Sequence, residues 1–247
     1  MTVEERIVEV RSDDIDLFCR AIVPSDHRGV VVLLHGIPSI APPEPGDLGY
    51  AGMARSFADR GWASVWTDMR AVRESGGFFS IEGWVRDATA VVNAATELSD
   101  GFLALIGSSA GGSVSAEVTR RGAPVDALGL LAAPAAWLSF ASDPAIGLKR
   151  ITEEAGMAVD PDVLVDPTAW AAEFDSVTTM DAVADVHVPI LIAHGTADDV
   201  VPVDHARYIA DRKPDARVEI IEGAGHQLRR DERALRIVFD WLDEIAP

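Results

Sequence analysis

Short β-branched runs recur along the chain and alternate with segments of helical periodicity. The first two runs are separated only by Ser12-Asp13-Asp14, which predicts a hairpin and an antiparallel start. From Val30 onward the runs are continuously apolar and alternate with helices, which is typical of a parallel sheet covered on both faces. The eight predicted strands are Ile7–Val10, Ile15–Val23, Val30–Leu34, Ala63–Thr67, Phe102–Ile106, Val125–Leu131, Pro189–Ala193 and Val218–Ile221.

Apolar residues at three-to-four spacing predict five longer helices. They are Tyr50–Arg60, Ile81–Leu98, Ala110–Arg121, Val203–Lys213 and Arg229–Ile245. Several of them are followed by a glycine, as helix ends often are.

The alternation of strands and helices breaks once, between Ala133 and His187. This stretch holds no strand-like run, only the short helical patches Ile146–Ala155 and Pro167–Phe174. An excursion of this length inside a compact domain is usually functional, so we predict a lid insertion over residues 135–186 within a single domain spanning 1–247; a surface decoration is the alternative. The aromatic and apolar residues expected to form a pocket wall there are Trp137, Leu138, Phe140, Trp170 and Phe174.

The charge balance excludes some partners. The chain carries 21 Lys+Arg against 40 Asp+Glu, a formal net charge of −19. A field of this sign repels polyanions and anionic lipid, so we expect neither nucleic acid nor a membrane surface as partner. The 48% content of hydrophobic residues is that of a globular protein with a core, not of a disordered chain.

Targeting and redox signals point to the cytoplasm. The segment Met1 to Arg6 holds two glutamates and no apolar stretch, which is unlike a signal peptide. The longest uncharged run, Ala127 to Ser142, is shorter than the ~20 residues that a bilayer requires. The single cysteine, Cys19, excludes an internal disulfide and a multi-cysteine metal site, and its strand-like setting predicts a buried structural thiol.

The pentapeptide Gly107-Ser108-Ser109-Ala110-Gly111 stands between a predicted strand and a predicted helix. In this setting a GxSxG motif forms a sharp turn that only small neighbours permit, which accounts for Gly107 and Gly111. Ser109 would project above the edge of the sheet as a nucleophile, and the N–H of Ala110 could stabilise developing negative charge. The serines outside the middle of the motif are Ser108 and Ser113.

A serine nucleophile requires a histidine base and an acid. His226 follows the last predicted strand in a glycine-bearing loop, which is where such a base is expected. The remaining histidines, which we interpret as structural or solvated, are His27, His35, His187, His194 and His205.

Two adjacent carboxylates, Asp198 and Asp199, compete for the role of the acid at the end of the penultimate parallel strand. Spacing does not separate them, and one of them could cap the helix that begins near Val203. With His194 they could bind a hard cation, but the loop lacks the number of ligands that such ions require, so no metal is predicted.

A second donor for an oxyanion is expected from the turn His35-Gly36-Ile37-Pro38. It follows the strand Val30–Leu34, so its N–H groups should lie at the same sheet edge as Ser109. We therefore expect the N–H of Ile37 to pair with that of Ala110, while the imidazole of His35 braces the turn.

Together these motifs resemble the α/β-hydrolase superfamily over nearly the whole chain. The order Ser109, acid, His226 is the family order, and His194-Gly195 with Asp198 and Val201-Pro202 resembles its HGxxDxxVP pattern. The resemblance implies that Asp198 is the acid. The HG turn and the proline-rich loop up to Tyr50 are similar to those of small bacterial members grouped with cinnamoyl esterases and serine-aminopeptidase-like hydrolases.

The chain departs from those relatives in one loop. They carry a DxRGxGxS turn after the fourth strand, whereas this sequence reads Asp68-Met69-Arg70-Ala71-Val72-Arg73-Glu74-Ser75. Ala71 and Arg73 stand at the two expected glycines. Because this loop borders the active site in the family, we expect a pocket of different shape.

The resemblance implies an α/β fold with an eight-stranded, mostly parallel sheet, helices on both faces and a short helical lid. It implies a serine hydrolase that cleaves carboxylic esters through an acyl-enzyme and needs no cofactor. Thioester, lactone and amide hydrolysis use the same machinery, and a noncatalytic binding protein is the rival from another class. The expected substrate is a small ester, neutral and partly apolar; the sequence does not indicate an oligomeric state.

Overall fold

The fold is described from a computed structural model over residues 2–99, 101–137 and 143–247. Within these residues there are nine strands. They are β1 (Val3–Ile7), β2 (Val10–Ser12), β3 (Ile15–Pro24), β4 (Gly29–Leu34), β5 (Ala63–Asp68), β6 (Phe102–Ser108), β7 (Ala127–Leu131), β8 (Ile190–Gly195) and β9 (Arg217–Ile221).

The strands form one sheet in the order β1-β3-β5-β4-β6-β7-β8-β9, and β2 also pairs with β3. The pairs that β3 makes with β1, β2 and β5 are antiparallel, and those from β5 to β9 are parallel. The mostly parallel sheet with an antiparallel start is therefore confirmed. The carboxyl ends of the parallel strands share one edge, which is where ligand sites form in open α/β sheets.

The first predicted strand is two strands in the structure. Its register runs on across the gap, because Ile7 lies opposite Arg20 and Val10 lies opposite Leu17. β1 has no buried residue and β2 has two, so the pattern at this sheet edge constrains strand limits less than the buried centre does. The turn to β3 is the predicted hairpin, with Asp13 in a left-handed conformation at φ 51°.

Helices cover both faces of the sheet. They are α1 (Gly49–Ala58), α2 (Ile81–Ala95), α3 (Ala110–Arg120), α4 (Pro144–Lys149), α5 (Pro161–Val165), α6 (Thr168–Ser176), α7 (Thr179–Ala182), α8 (Asp204–Arg212) and α9 (Glu232–Ile245) within the described residues. All six residues of β4 are buried, and the side chains that follow Gly29 alternate between two clusters. Val30 and Val32 pack with α2 and α3, whereas Val31 and Leu33 pack with α1 and α9. This alternation is the period of two that a strand imposes.

The last predicted helix begins later than expected. Leu228–Arg230 form a separate 3₁₀ turn, and α9 starts only at Glu232. The reason is a cap at Asp231, whose Oδ1 accepts the N–H of Arg233 at 2.8 Å. The spacing of apolar residues does not reveal a helix start that is set by a polar N-cap.

The segment between β7 and β8 holds the short helices α4 to α7 and, among its described residues, no strand. It packs into the same core as the sheet, since Ile151, Trp170 and Phe174 are at most 3% exposed. Main-chain bonds also fix it: Ile40 donates to the carbonyl of Glu154 at 3.1 Å, and Phe79 donates to Ala158 at 2.8 Å. Part of the predicted pocket wall, Leu138 and Phe140, lies outside the described residues.

Candidate active site

Ser109 sits in a strained turn between β6 and α3, with φ 54° and ψ −125°. A non-glycine residue with this conformation is uncommon and persists only where its surroundings enforce it. A Cβ atom on Gly107 would collide with the carbonyl of Gly111 and the hydroxyl of Ser115. The glycine two residues before the serine is therefore required by the close approach of strand and helix.

The turn after β4 is pressed against this serine. A Cβ atom on Gly111 would collide with the carbonyl of His35, and one on Gly36 would lie 2.7 Å from the Cβ atom of Ser109. Ile37 consequently follows a residue in contact with the nucleophile and lines the same cavities as Ser109. Ala110 begins α3, so its N–H has no carbonyl one turn earlier to accept it. Both candidate oxyanion donors thus lie beside Ser109.

The three side chains predicted to react are brought together by loops at the same sheet edge. Nε2 of His226 lies 3.0 Å from Oγ of Ser109, and Nδ1 of His226 lies 2.8 Å from Oδ2 of Asp198. With the imidazole proton on Nδ1, the serine hydroxyl donates to His226 and His226 donates to the carboxylate. The histidine is thus oriented to take a proton from the serine.

The ambiguity between the two carboxylates has a geometric answer. Asp199 is exposed, whereas Asp198 is buried and faces His226. Its other oxygen, Oδ1, accepts the N–H groups of Val200 at 2.9 Å and Val201 at 2.8 Å. These bonds fix the plane of the carboxylate toward the imidazole.

Asp198 is charged at neutral pH. Burial by itself would raise its pKa, but hydrogen bonds from His194, His226 and the Val201 N–H outweigh burial and hold the pKa of Asp198 well below its usual range. An anion held in this position stabilises the positive form of His226.

His194 has a supporting position beneath the carboxylate. Its Nε2 lies 2.8 Å from the carbonyl oxygen of Val201 and 3.3 Å from Oδ2 of Asp198, so Nε2 carries the proton. The ring is fully buried, and its Nδ1 has no hydrogen-bond partner within the described part of the chain. His194 therefore braces the acid loop, as its sequence position predicted.

His35 braces the neighbouring turn. Its Nδ1 lies 2.7 Å from the carbonyl of Gly36, and its Nε2 accepts the N–H of Met69 at 3.0 Å. Burial lowers the pKa of His35, which keeps the ring neutral, as this pair of bonds requires. The interpretation of His35 as a structural residue is confirmed.

Of the other candidates from the sequence, His205 lines a cavity together with Ser109 and His226, and the rest lie away from the reacting atoms. His205 accepts the N–H of Ala135 through Nδ1 at 2.9 Å, and Ser113 is buried and accepts the hydroxyl of Thr179 at 2.8 Å. The rings of His27 and His187 do not approach Ser109: His27 bridges the carbonyls of Pro24 and Leu98, and His187 is exposed. Ser113, His27 and His187 thus have structural or surface roles, whereas His205 belongs to the wall of the cavity.

The loop that departs from the family pattern keeps the backbone of glycines without having them. Ala71 has φ 63° and Arg73 has φ 42°, both in the left-handed region that favours glycine. The loop is held by Arg70, whose guanidinium pairs with Asp87 at 2.7 Å and with Asp13 at 2.9 Å. Both positions therefore adopt a backbone that glycine would carry without strain, and at one of them the long cationic side chain of Arg73 extends from the turn.

Two cavities meet at Ser109 and His226. The first, of about 440 Å³, is lined by apolar residues that include Pro134, Trp137 and Val201 and by polar ones that include Arg150 and Glu154. Of the predicted pocket wall, Trp137 lines this cavity, while Trp170 and Phe174 pack behind it with ring centroids 4.9 Å apart. The second cavity, of about 450 Å³, has a polar wall.

Some residues of the second cavity were not predicted from the sequence to be part of the site. Arg229 and Arg230, just after His226, pair with Asp47 and Glu44 in the loop before α1. Tyr50 lies next to them, with the Arg229 guanidinium 5.6 Å from its ring centroid. The only signal for them in the sequence is proximity to His226, because ion pairs between distant segments leave no periodic pattern.

No group of three or more metal-binding side chains is found among the described residues. Nor is any helix in that part of the chain long and apolar enough to cross a bilayer.

The comparison with protein families identifies the chain. The model of the prolyl oligopeptidase family matches residues 51–246, which contain all three reacting side chains. The protein belongs to the prolyl oligopeptidase family. Among curated proteins no sequence matches it.

Solved structures share the fold of this family member. Est1E from Butyrivibrio proteoclasticus, solved with ferulic acid bound, is 19% identical over 96% of both chains, with a TM-score of 0.70. The Pyrococcus furiosus esterase Pf2001 is 18% identical over 98% of this chain and 92% of its own, with a TM-score of 0.71. A 2-hydroxy-6-oxo-6-phenylhexa-2,4-dienoate hydrolase from Rhodococcus is 18% identical over 98% of this chain and 100% of its own, with a TM-score of 0.69. The protein is a hydrolase of the α/β-hydrolase fold.

Proposed function

We propose that this prolyl oligopeptidase family member is a serine hydrolase that cleaves carboxylic esters. The carrying observation is the pair of distances at His226, 3.0 Å to the serine hydroxyl and 2.8 Å to the carboxylate of Asp198. A noncatalytic binding protein has no physical need for this hydrogen-bonded chain of serine, histidine and aspartate at a strained turn.

In the proposed reaction, Oγ of Ser109 attacks the acyl carbon while His226 takes the hydroxyl proton. Asp198 holds the imidazole and stabilises its positive form. The N–H groups of Ile37 and Ala110 receive the oxyanion of the tetrahedral intermediate. His226 then returns the proton to the leaving alcohol, and water hydrolyses the acyl-enzyme by the same route. No cofactor takes part in these steps.

Esters are the preferred substrate class for two reasons. Pf2001 carries the name esterase, and the first cavity offers apolar surface for an acyl or aryl group. The family description favours a second candidate, cleavage of a peptide or aminoacyl amide by the same groups. The chain's single cysteine supports a cytoplasmic location for either activity.

A fluorophosphonate probe tests the nucleophile. It should label the wild type and leave Ser109→Ala unlabelled, while Ser113→Ala, which removes a buried serine on the same helix, should still be labelled. A folded wild type that takes up no probe would overturn the proposed hydrolase.

Measurements of kcat test the proposed roles of the serine, the histidine and the aspartate. Ser109→Ala and His226→Ala should each lower kcat on a short nitrophenyl ester by about a thousandfold or more, because the remaining groups cannot replace an activated nucleophile. Asp199→Asn, beside the proposed acid but exposed, should stay close to wild type. If Asp199→Asn lowers kcat as much as Asp198→Asn does, the acid has been assigned to the wrong residue.

A substrate panel separates the bond classes. Nitrophenyl esters of rising chain length, an aryl ester, a thioester, a lactone and an aminoacyl amide should be compared by kcat/KM. We expect an ester to lead; a higher kcat/KM on the aminoacyl amide would establish the second candidate instead.

A further inference from the structure

The two cavities that meet at Ser109 differ in chemistry. Trp137, Pro134 and Val201 give the first one apolar surface, and one arginine and one carboxylate, Arg150 and Glu154, also line it. The described wall of the second carries three arginines and two carboxylates, namely Arg73, Arg229, Arg230, Glu44 and Asp47. Every one of these arginines has a carboxylate partner, so in a chain of net charge −19 this wall is locally near neutral and concentrates N–H donors beside Ser109.

The arginines of the second cavity are not equally engaged. Arg229 holds Asp47 with both of its terminal nitrogens, and its side chain is 15% exposed. Arg230 pairs with Glu44 at the rim. Arg73 makes a single described hydrogen bond, from NH1 to Oδ1 of Asp68 at 2.8 Å, and its side chain is 65% exposed. Arg73 therefore keeps most of its five N–H donors available to a ligand.

The backbone at Arg73 supports a role for this side chain. Its φ of 42° lies where glycine would carry no steric cost, yet the position holds a long cationic residue. Strained non-glycine residues cluster at ligand clamps and active sites. Tyr50 lies in the same wall, and burial raises the pKa of its phenol, so the hydroxyl stays protonated there.

We propose that the second cavity binds a carboxylate carried by the substrate and that Arg73 is the residue that pairs with it. The substrate would then be an ester with an apolar part in the first cavity and an anionic part in the second. This rests on the proposed hydrolase function for how the ester is placed at Ser109. The proposed anionic substrate differs from the neutral one expected from the net charge of the chain. Salt screens the distant surface charges, so the carboxylate of a bound substrate interacts mainly with the side chains of the cavity wall.

The test compares matched substrates that differ only in charge. One pair, 3-acetoxybenzoate and 3-acetoxybenzamide, carries the charge on the alcohol side. The other, mono(4-nitrophenyl) adipate and 4-nitrophenyl adipamate, carries it on the acyl side. We expect the wild type to prefer the carboxylate member of one pair, and Arg73→Gln to lower kcat/KM for that member by about tenfold while the amide changes little. The responding pair identifies the side that enters the second cavity.

Two further variants control this result. Arg73→Lys keeps the charge and should retain much of the preference. Arg11→Gln removes an arginine of similar exposure, 63%, that also pairs with aspartates but lies on β2, away from the site. It should leave the preference intact. If Arg11→Gln abolishes the preference as Arg73→Gln does, the effect comes from total charge and the assignment to Arg73 is wrong.

Binding gives a readout that does not depend on turnover. Calorimetric titration with 3-hydroxybenzoate and 3-hydroxybenzamide, and with adipate and adipamide, should show tighter binding of one anion to the wild type and loss of that difference in Arg73→Gln. If the protein hydrolyses no ester, the titration still decides the site. Equal affinities for both members of each pair in the wild type would overturn the proposal, and would leave the hydrolase function to be judged by the probe.

Discussion

At the scale of single residues, Cys19 illustrates how burial sets reactivity. Its thiol lies on β3 with 1% of the residue exposed, and burial raises the pKa of Cys19 to about 12. The thiolate that reacts with disulfide reagents is therefore almost absent near pH 8. We expect the native protein to resist an aromatic disulfide reagent, and the protein in guanidinium chloride to react fully. Labelling at equal rates in both states would contradict the buried position.

A second residue-scale prediction concerns Ala71. Because its φ of 63° strains any residue with a Cβ atom, Ala71→Gly should stabilise the protein by ~1 kcal/mol. The matched control is Ala90→Gly in the interior of α2, where the same change should destabilise by about 1 kcal/mol. Denaturant titration measures both. Loss of stability in Ala71→Gly comparable to that in Ala90→Gly would mean that the turn stores no strain.

The choice between Asp198 and Asp199 marks a limit of reading residues from a sequence. Both follow the same strand, and only the turn geometry decides which one is buried toward His226. That geometry depends on the N–H groups of Val200 and Val201, which close onto Asp198. Family resemblance supplied the choice; the spacing of the residues did not.

At the scale of elements, the 3₁₀ turn Leu228–Arg230 links the histidine loop to the loop before α1. Arg229 in this turn holds Asp47, and both side chains are largely buried. The turn keeps His226 at a fixed distance from a loop that lines the second cavity. Helical periodicity predicted one continuous helix here and concealed the link, because an N-cap and an ion pair carry no apolar signal.

This link predicts a pH dependence of stability. The hydrogen bond from Arg229 lowers the pKa of Asp47 to about 2, below the value near 4 of an unfolded chain. The stabilisation is therefore complete above about pH 4 and is lost as the pH falls toward 2. Asp47→Asn should have a lower melting temperature than wild type at pH 7, and the gap should shrink below pH 4. The control Asp199→Asn, an exposed carboxylate, should show no such gap; a constant gap for Asp47→Asn would contradict the pairing.

At the scale of the whole molecule, the charge is the dominant feature. The surface of a −19 chain repels itself, and this repulsion opposes the compact state. Raising the salt from a few millimolar to physiological strength shortens the Debye length and should raise the melting temperature by a few degrees. An equal concentration of an uncharged osmolyte controls for solvent effects. A fall in melting temperature with salt would mean that surface ion pairs outweigh the net repulsion.

The sheet was the most predictable part of the molecule. Continuous apolar runs such as Val30–Leu34 indicate buried parallel strands. The GxSxG motif between a strand and a helix predicts the turn at Ser109. The walls of the site were less predictable, because they come from side chains distant along the chain, such as Asp47 and Arg229. Of the segment after β7, the sequence predicted that strands are absent but not that its aromatic residues join the main core.

The placement of the three reacting groups has a consequence for refolding. Ser109 follows the central strand β6, whereas Asp198 and His226 follow β8 and β9 at one side of the sheet. A refolding intermediate that lacks those two strands would hold a formed serine turn with no base beside it. Labelling of Ser109 by the probe would thus report when the last strands dock. During refolding, the reactivity of Ser109 should recover later than the circular dichroism signal and at the same time as folding is completed.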